Sequence, residues 1–290
     1  MALHSSHFTA PDGAQIAYTE ALPTHGAERA ASLPAFVLLH PMPVDHRFWL
    51  PMIMQINQLY RDNLHGQPFR YILPDLRGHG RSTLGKAEAN IPQMAADVIA
   101  LLDSLGVKEA IFAGCSIGGY VLFEIWRQRP DLVSAMAFLC SKPQPDTDAN
   151  RISRAETIAK IQTGGTAYVA EFFDYMARTM TGDTTRVEQP EITARLRGMM
   201  SFTPEALIAV VAAIRDRADS RPLLPTITVP VLAVAGGEDA GIPPDEVREI
   251  AELAPHVDFQ LVEKAGHYAP YEVPEIMAEI VSEWLEKTSA

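Results

Sequence analysis

The chemistry-bearing residues of this chain that stand out together are a serine between glycines, an aspartate and a histidine. Each follows directly on an apolar run. The serine is Ser116, in Gly114-Cys115-Ser116-Ile117-Gly118-Gly119. A serine hydroxyl is a poor nucleophile until it is exposed, oriented and relieved of its proton by a neighbouring base. A sharp strand-to-helix turn exposes it, and glycines two residues before and two after remove side chains where the backbones converge. The start of the following helix adds a positive dipole for developing negative charge. Asp239 lies in GGEDAGIPP and His267 in KAGHYAP. In the chain order Ser116, Asp239, His267, the imidazole takes the serine proton and hands it to the leaving group, while the carboxylate holds the ring's tautomer. Glu238 beside Asp239, and Asp146 or Asp148 after a different run, are the alternative carboxylates. Cys115 reads as a small packing residue next to the nucleophile.

These three loops need a scaffold that delivers them to one place. HFTA and QIAYTE flank Pro11-Asp12-Gly13 and predict a hairpin turning at that corner. Short apolar runs follow: AFVLLH (35–40), RYILPD (70–75), EAIFAG (109–114), VSAMAFL (133–139), VPVLAVAGG (229–237) and FQLVEK (259–264). Most are apolar throughout rather than alternating, which predicts strands buried on both faces of a parallel sheet. Helical periodicity lies between them. Ile91, Met94, Val98, Leu101, Leu102 and Leu105 form one stripe, ended by Gly106; Pro274 opens a last helix with Ile276, Met277, Ile280, Val281, Trp284 and Leu285 on its stripe. The alternation predicts an α/β fold, a mostly parallel sheet with helices on both faces and right-handed crossovers.

One stretch interrupts this pattern. Between Ser141 and Pro222 four helical segments are expected, NRISRAETIAKIQ, AYVAEFFDYMART, EITARLRGMM and PEALIAVVAAIRDR, with no strand. The expected organisation is a core of residues 1–140 and 223–290 with a helical cap at 141–222. Such insertions sit over the C-terminal strand edge, where α/β sheets bind ligands. Phe172, Phe173, Tyr175 and Met176 are the cap residues expected to line an acyl pocket, although helix packing would use the same residues.

Bulk properties narrow the class. With 290 residues, 47% apolar and 21% charged, the chain is long enough to bury a core and is not disordered. Apolar runs such as AFVLL fall far short of the ~18 residues of a membrane span, so no membrane partner is expected. A net charge of −12 repels phosphate backbones, which argues against nucleic acid. Two cysteines, Cys115 and Cys140, make no disulfide framework. No leader-like segment opens the chain, so a cytoplasmic location is expected. Zinc-type ligand spacing and nucleotide-binding glycine motifs are lacking, so neither metal nor cofactor is expected. Oligomeric state is not legible.

HPMPVDHRFW (40–49), DLRGHGRS (75–82), GCSIGGY (114–120), GGEDAGIPP and AGHYAPYEVPE, in this order, resemble the motifs of the α/β-hydrolase fold family, especially its capped esterase and enol-lactonase-like members. The resemblance spans residues 8–140 and 223–287. It implies a cofactor-independent serine hydrolase of carboxylic esters or lactones, working through an acyl-enzyme. It also implies an oxyanion hole from two backbone N–H groups, those of Ile117 and Met42. Pro41 departs from the pattern by occupying the place of a glycine, next to that second donor. His79 and Arg77 are implied to shape a turn. Enol-lactone hydrolysis, C–C bond hydrolysis and cofactor-free perhydrolysis belong to the same implied triad, whereas the serine at 116 sets aside the aspartate-nucleophile branches. From another class, some proteins of this fold are small-molecule receptors.

Overall fold

The computed structural model describes residues 1–22, 33–62 and 69–288. Among them, eight strands form one sheet in the order β1-β2-β4-β3-β5-β6-β7-β8. The strands are β1 Ala2–Thr9, β2 Gln15–Leu22, β3 Ala35–Leu39, β4 Arg70–Pro74, β5 Ala110–Cys115, β6 Val133–Leu139, β7 Val231–Gly236 and β8 Val257–Val262. The first two form the expected hairpin around Pro11-Asp12-Gly13 and pair antiparallel, β2 also pairs antiparallel with β4, and every pairing among β3 to β8 is parallel. β3 and β7 are buried along their whole length, whereas β8, at the sheet edge with a neighbouring strand on one side only among the described residues, is mostly half-buried. Among the parallel strands, β7 and β8 differ most from expectation. β7 begins at Val231 because Pro230 has no N–H to donate, and β8 runs 257–262, leaving Glu263 and Lys264 to the loop that carries His267.

From β3 the chain steps to β4 on one side, then returns past β3 to β5 and continues outward. Right-handed crossovers in opposite directions put helices on opposite faces. Helix α1 (Leu50–Asp62) packs against the last helix, while α2 (Ile91–Ser104) packs against α3 (Ile117–Gln128). Gly106 follows α2 at φ 71°, as its placement predicts. The reversal makes β3 and β5 the switch point, and their C-terminal ends carry Met42 and Ser116.

Between β6 and β7 lie α4 (Asp148–Met180), α5 (Asp183–Glu188), α6 (Pro190–Met199) and α7 (Pro204–Arg215). The two expected helices 150–162 and 167–179 are one segment broken at Gly165, whose φ of 55° and ψ of −140° interrupt the helical path. Helix α5 had no sequence signature, since six polar-rich residues carry no apolar periodicity. Helix α8 (Pro244–Leu253) packs on β7 and β8. A short turn of helix, α9 (Ala269–Glu272), leads into α10 (Pro274–Thr288). On α10, Met277, Val281, Trp284 and Leu285 are buried, but Ile276 is 46% exposed. One residue is about 100° of helix rotation, so Ile276 leaves the face that Met277 turns to the core. Among the described residues no single helix is long and apolar enough to cross a membrane; α6 and α7 reach that composition only together, across a 106° bend.

Candidate active site

Ser116 sits between β5 and α3 at φ 52° and ψ −116°, the left-handed conformation that a tight strand-to-helix turn imposes. Its carbonyl accepts from Gly119 N (2.9 Å) and from Ser141 Oγ (2.9 Å), which hold the turn in place. The flanking glycines are sterically required. A Cβ on Gly118 would lie 2.0 Å from the Leu39 carbonyl oxygen, and one on Gly114 2.4 Å from the Gly118 carbonyl oxygen. The serine is partly exposed, while Cys115 beside it is fully buried and points its Sγ at the His267 carbonyl, 3.6 Å away. Burial pushes the Cys115 thiol well above its usual range, so it offers no thiolate.

His267 and Asp239 meet. Nδ1 of the buried imidazole lies 2.8 Å from Asp239 Oδ2. The other carboxylate oxygen accepts from Gly241 N (2.8 Å) and Ile242 N (2.9 Å), so Asp239 is fixed by its own loop. A carboxylate only accepts, so Nδ1 is the donor of this contact, and in the neutral imidazole Nε2 is the nitrogen left to accept. Of the alternative carboxylates, Asp148 lies exposed at the start of α4 and the other two are engaged elsewhere. Glu238 accepts from Thr184 N (2.7 Å) and Thr184 Oγ1 (2.5 Å), and Asp146 is held between Arg154 and Arg217.

The loop bearing His267 is tied on three sides. Its N–H donates to Met180 O at the end of α4 (2.8 Å). Glu272, 1% exposed, accepts from Gly266 N (3.1 Å) and Tyr268 N (3.0 Å), the two peptides around the histidine, and from Gly182 N (2.9 Å). Burial pushes the Glu272 carboxyl above its usual range against these donors. Tyr268 then donates its hydroxyl to Met42 O (3.2 Å), joining the histidine loop to the loop after β3.

Pro41 leaves that second loop well defined. His40 is fully buried; its Nδ1 donates to Pro41 O (3.0 Å) and its Nε2 accepts from Leu76 N (3.0 Å). The N–H of Met42 has no acceptor among the described residues, and that of Ile117, first in α3, has no intrahelical one. Met42, Ser116 and His267 all line one cavity of about 300 Å³.

The DLRGHGRS segment serves as structure. Arg77 is buried in ion pairs with Asp97 and Asp12, each at 2.7 Å. Asp45, His46 and Asp75 bring three ligand-type atoms within 4.8 Å of one another, a cluster that spacing did not reveal. Those carboxylates are already bonded, Asp45 by Arg47 and Asp75 by His46 and Arg81. His79 is buried with its ring against His40 and Phe202. Burial, then the neighbouring His40, pushes its pKa down to about 3, and burial lowers His40 as well. Both rings are therefore neutral in the fold, while the unfolded chain binds protons below the ordinary imidazole pKa of 6.5. Stability is expected to be level above that pH and to fall below it, with His79 alone contributing a loss of about 2 kcal/mol between pH 6.5 and 5. Urea unfolding at pH 7 and pH 5 checks this: His79→Gln should lose less between the two than the wild type does.

Of the expected cap residues, Phe172, Tyr175 and Met176 line the cavity. Phe173 does not. It is buried 6.2 Å, centroid to centroid, from Phe202, with the Arg197 guanidinium 5.4 Å over its ring. Residues 172, 175 and 176 share a helix face, and 173 turns about 100° away from 172 toward Phe202 and Arg197. Sequence reasoning missed the polar wall, Lys142, Asp146, Asn150, Ser153, Arg154 and Thr157. Its signal was the spacing 150, 153, 154, 157, one helix face of hydrogen-bonding residues.

A family model described as alpha/beta hydrolase fold matches residues 34–274. The chain is 28% identical over 226 residues to a putative carbamate hydrolase RutD of Yersinia enterocolitica, covering 76% of each. It is 23% identical over 267 residues to 3-oxoadipate enol-lactonase 1 of Acinetobacter baylyi, covering 89% of this chain and 90% of that one. Among solved structures, a thermophilic esterase from Thermogutta terrifontis superposes with a TM-score of 0.83 at 28% identity, over 99% of this chain and 100% of the other. The enol-lactonase from Burkholderia xenovorans superposes with a TM-score of 0.82 at 23% identity, over 97% and 100%.

Proposed function

The chain belongs to the α/β-hydrolase family, and from that membership we propose that it is a serine hydrolase cleaving a small carboxylic ester or lactone through an acyl-enzyme. The observation that carries the reading is the 2.8 Å His267–Asp239 bond, which leaves Nε2 free to accept, in a cavity also lined by Ser116. In this reading His267 Nε2 removes the Ser116 proton as Oγ attacks the carbonyl carbon. The carbonyl oxygen, now an anion, is received by the unpartnered N–H groups of Met42 and Ile117. Collapse expels the alcohol, or opens the lactone, with the proton from His267. Water then repeats the sequence on the acyl-serine and releases the acid. Asp239 keeps the ring oriented and balances its transient charge.

Residues 1–140 and 223–290 act in this proposal as the catalytic core, and 141–222 as a cap that excludes water and limits substrate size. Lactone opening needs no change of machinery, and the carbamate and enol-lactone substrates named for relatives fit the same steps. The test is turnover of p-nitrophenyl esters from acetate to octanoate, together with labelling by a fluorophosphonate probe read by peptide mass spectrometry. Turnover with a short-chain optimum and an adduct on Ser116 is the expected outcome. No turnover of any ester and no adduct would sink the proposal.

A further inference from the structure

The mechanism uses only part of the cavity wall. Helix α4 supplies much of the remainder in two stretches, polar Asn150, Ser153, Arg154 and Thr157 before the break at Gly165, and apolar Phe172, Tyr175 and Met176 after it. A purely hydrocarbon acyl group gives the first stretch nothing to bind.

The charges on that wall are unequal. Asp146, 7% exposed, is bonded through Oδ1 by Arg217 Nη1 (2.5 Å) and through Oδ2 by Arg154 Nε. Arg217 is committed to the protein. Its Nη1 also donates to Ile214 O, its Nη2 donates to Gln144 O, and its guanidinium lies 4.4 Å over the Tyr120 ring. Arg154 differs. Only its Nε is bonded, and its Nη1 and Nη2 have no partner among the described residues although the side chain lines the cavity. Lys142 is paired with Glu246 at 2.5 Å. Lys142, Arg154 and Arg217 thus face two carboxylates, Asp146 and Glu246, which leaves a local positive excess in a protein of net charge −12.

We propose that this wall is a subsite for a carboxylate on the substrate, held by the two free Nη groups of Arg154, so that the enzyme acts on esters or lactones bearing a second, anionic end. A guanidinium edge with two parallel N–H donors matches a carboxylate, and Asp146 holds the opposite side of the group so that the edge is already oriented. Asn150, Ser153 and Thr157 supply neutral hydrogen-bonding groups on the same wall. The subsite rests on the reading that this cavity is where Ser116 acts.

Two esters of equal length separate the ideas: mono-methyl glutarate ends in a carboxylate and methyl valerate in a methyl group. Their binding to Ser116→Ala protein is measured by calorimetry, which needs no turnover. Mono-methyl glutarate is expected to bind about tenfold more tightly or better, as a charge-assisted bidentate contact implies. Adding Arg154→Met should erase the difference, while Arg154→Lys, which keeps the charge without the fork and guards against a folding defect, should retain part of it. Equal binding, no measurable binding of the glutarate ester, or a preference that survives Arg154→Met would each overturn the subsite. A glutarate preference in a wild-type protein that hydrolyses no ester would instead sink the hydrolase reading and leave the subsite standing.

Discussion

Ser116→Ala is expected to lower kcat on any ester the protein turns over by about 10⁴–10⁶-fold, with little change in KM where chemistry is slower than substrate dissociation. The alanine keeps the Cβ that the turn already accommodates and removes only Oγ, so the fold and the His267–Asp239 bond should persist. Without the nucleophile His267 has no proton to take, and what remains is the contribution of the oxyanion donors and of binding. Cys115 cannot substitute, because its thiol is buried and turned to the His267 carbonyl. Equal melting temperatures with a collapsed kcat would be the supporting result. A variant retaining more than about a tenth of wild-type kcat would rule out Ser116 as the nucleophile, since triad members removed singly cost far more.

The largest expected effect on stability comes from Glu272→Ala. Its carboxylate receives the N–H groups of Gly182, Gly266 and Tyr268, and truncation would leave all three without that acceptor in a buried site. Each buried donor left unmade costs about 1–3 kcal/mol, so a total loss of about 3–5 kcal/mol is expected, part being relieved by water entering the space. For a chain of this size that corresponds to a melting temperature about 5–8 °C lower. Activity should fall as well, because two of those donors flank His267 and the third belongs to the α4–α5 connection, whose Met180 carbonyl binds the histidine N–H. Glu272→Gln keeps an acceptor for Gly182 and Gly266 but turns an amide toward the Tyr268 N–H, so its loss should be intermediate. Melting curves for the three proteins decide the matter, and a Glu272→Ala protein within about 2 °C of wild type would show that the clamp contributes little.

Glu272 also marks how far reading the chain went. It stands in AGHYAPYEVPE, one of the motifs behind the family resemblance, yet nothing in its type or spacing says that it reaches back to two peptides beside His267 and across to Gly182. The serine turn was legible because its cause is local. A strand meeting a helix within a few residues forces glycines at 114 and 118 whatever else the chain does. The central strands β3, β5, β6 and β7 were legible because a parallel sheet covered on both faces favours apolar residues at nearly every position. Helix α5 was invisible for the converse reason: its short run is held by contacts to other segments, such as Thr184 to Glu238, and by no pattern of its own.

The helical segment between β6 and β7 shows the division most sharply. Composition and periodicity located its helices, because an apolar stripe must find a core wherever the chain goes. They did not tell Phe172 from Phe173, which differ by one residue and end respectively on the cavity and against Phe202. Nor did they distinguish Arg217, bonded on every side but one, from Arg154, with its outer edge free. What the sequence determined by itself was the main strands and apolar-striped helices and the order in which Ser116, Asp239 and His267 are delivered to one sheet edge, since both follow from short-range sterics and burial. The tertiary structure alone decided which side chains face the cavity and which charges remain unpaired there, because facing and pairing depend on segments far apart in the chain.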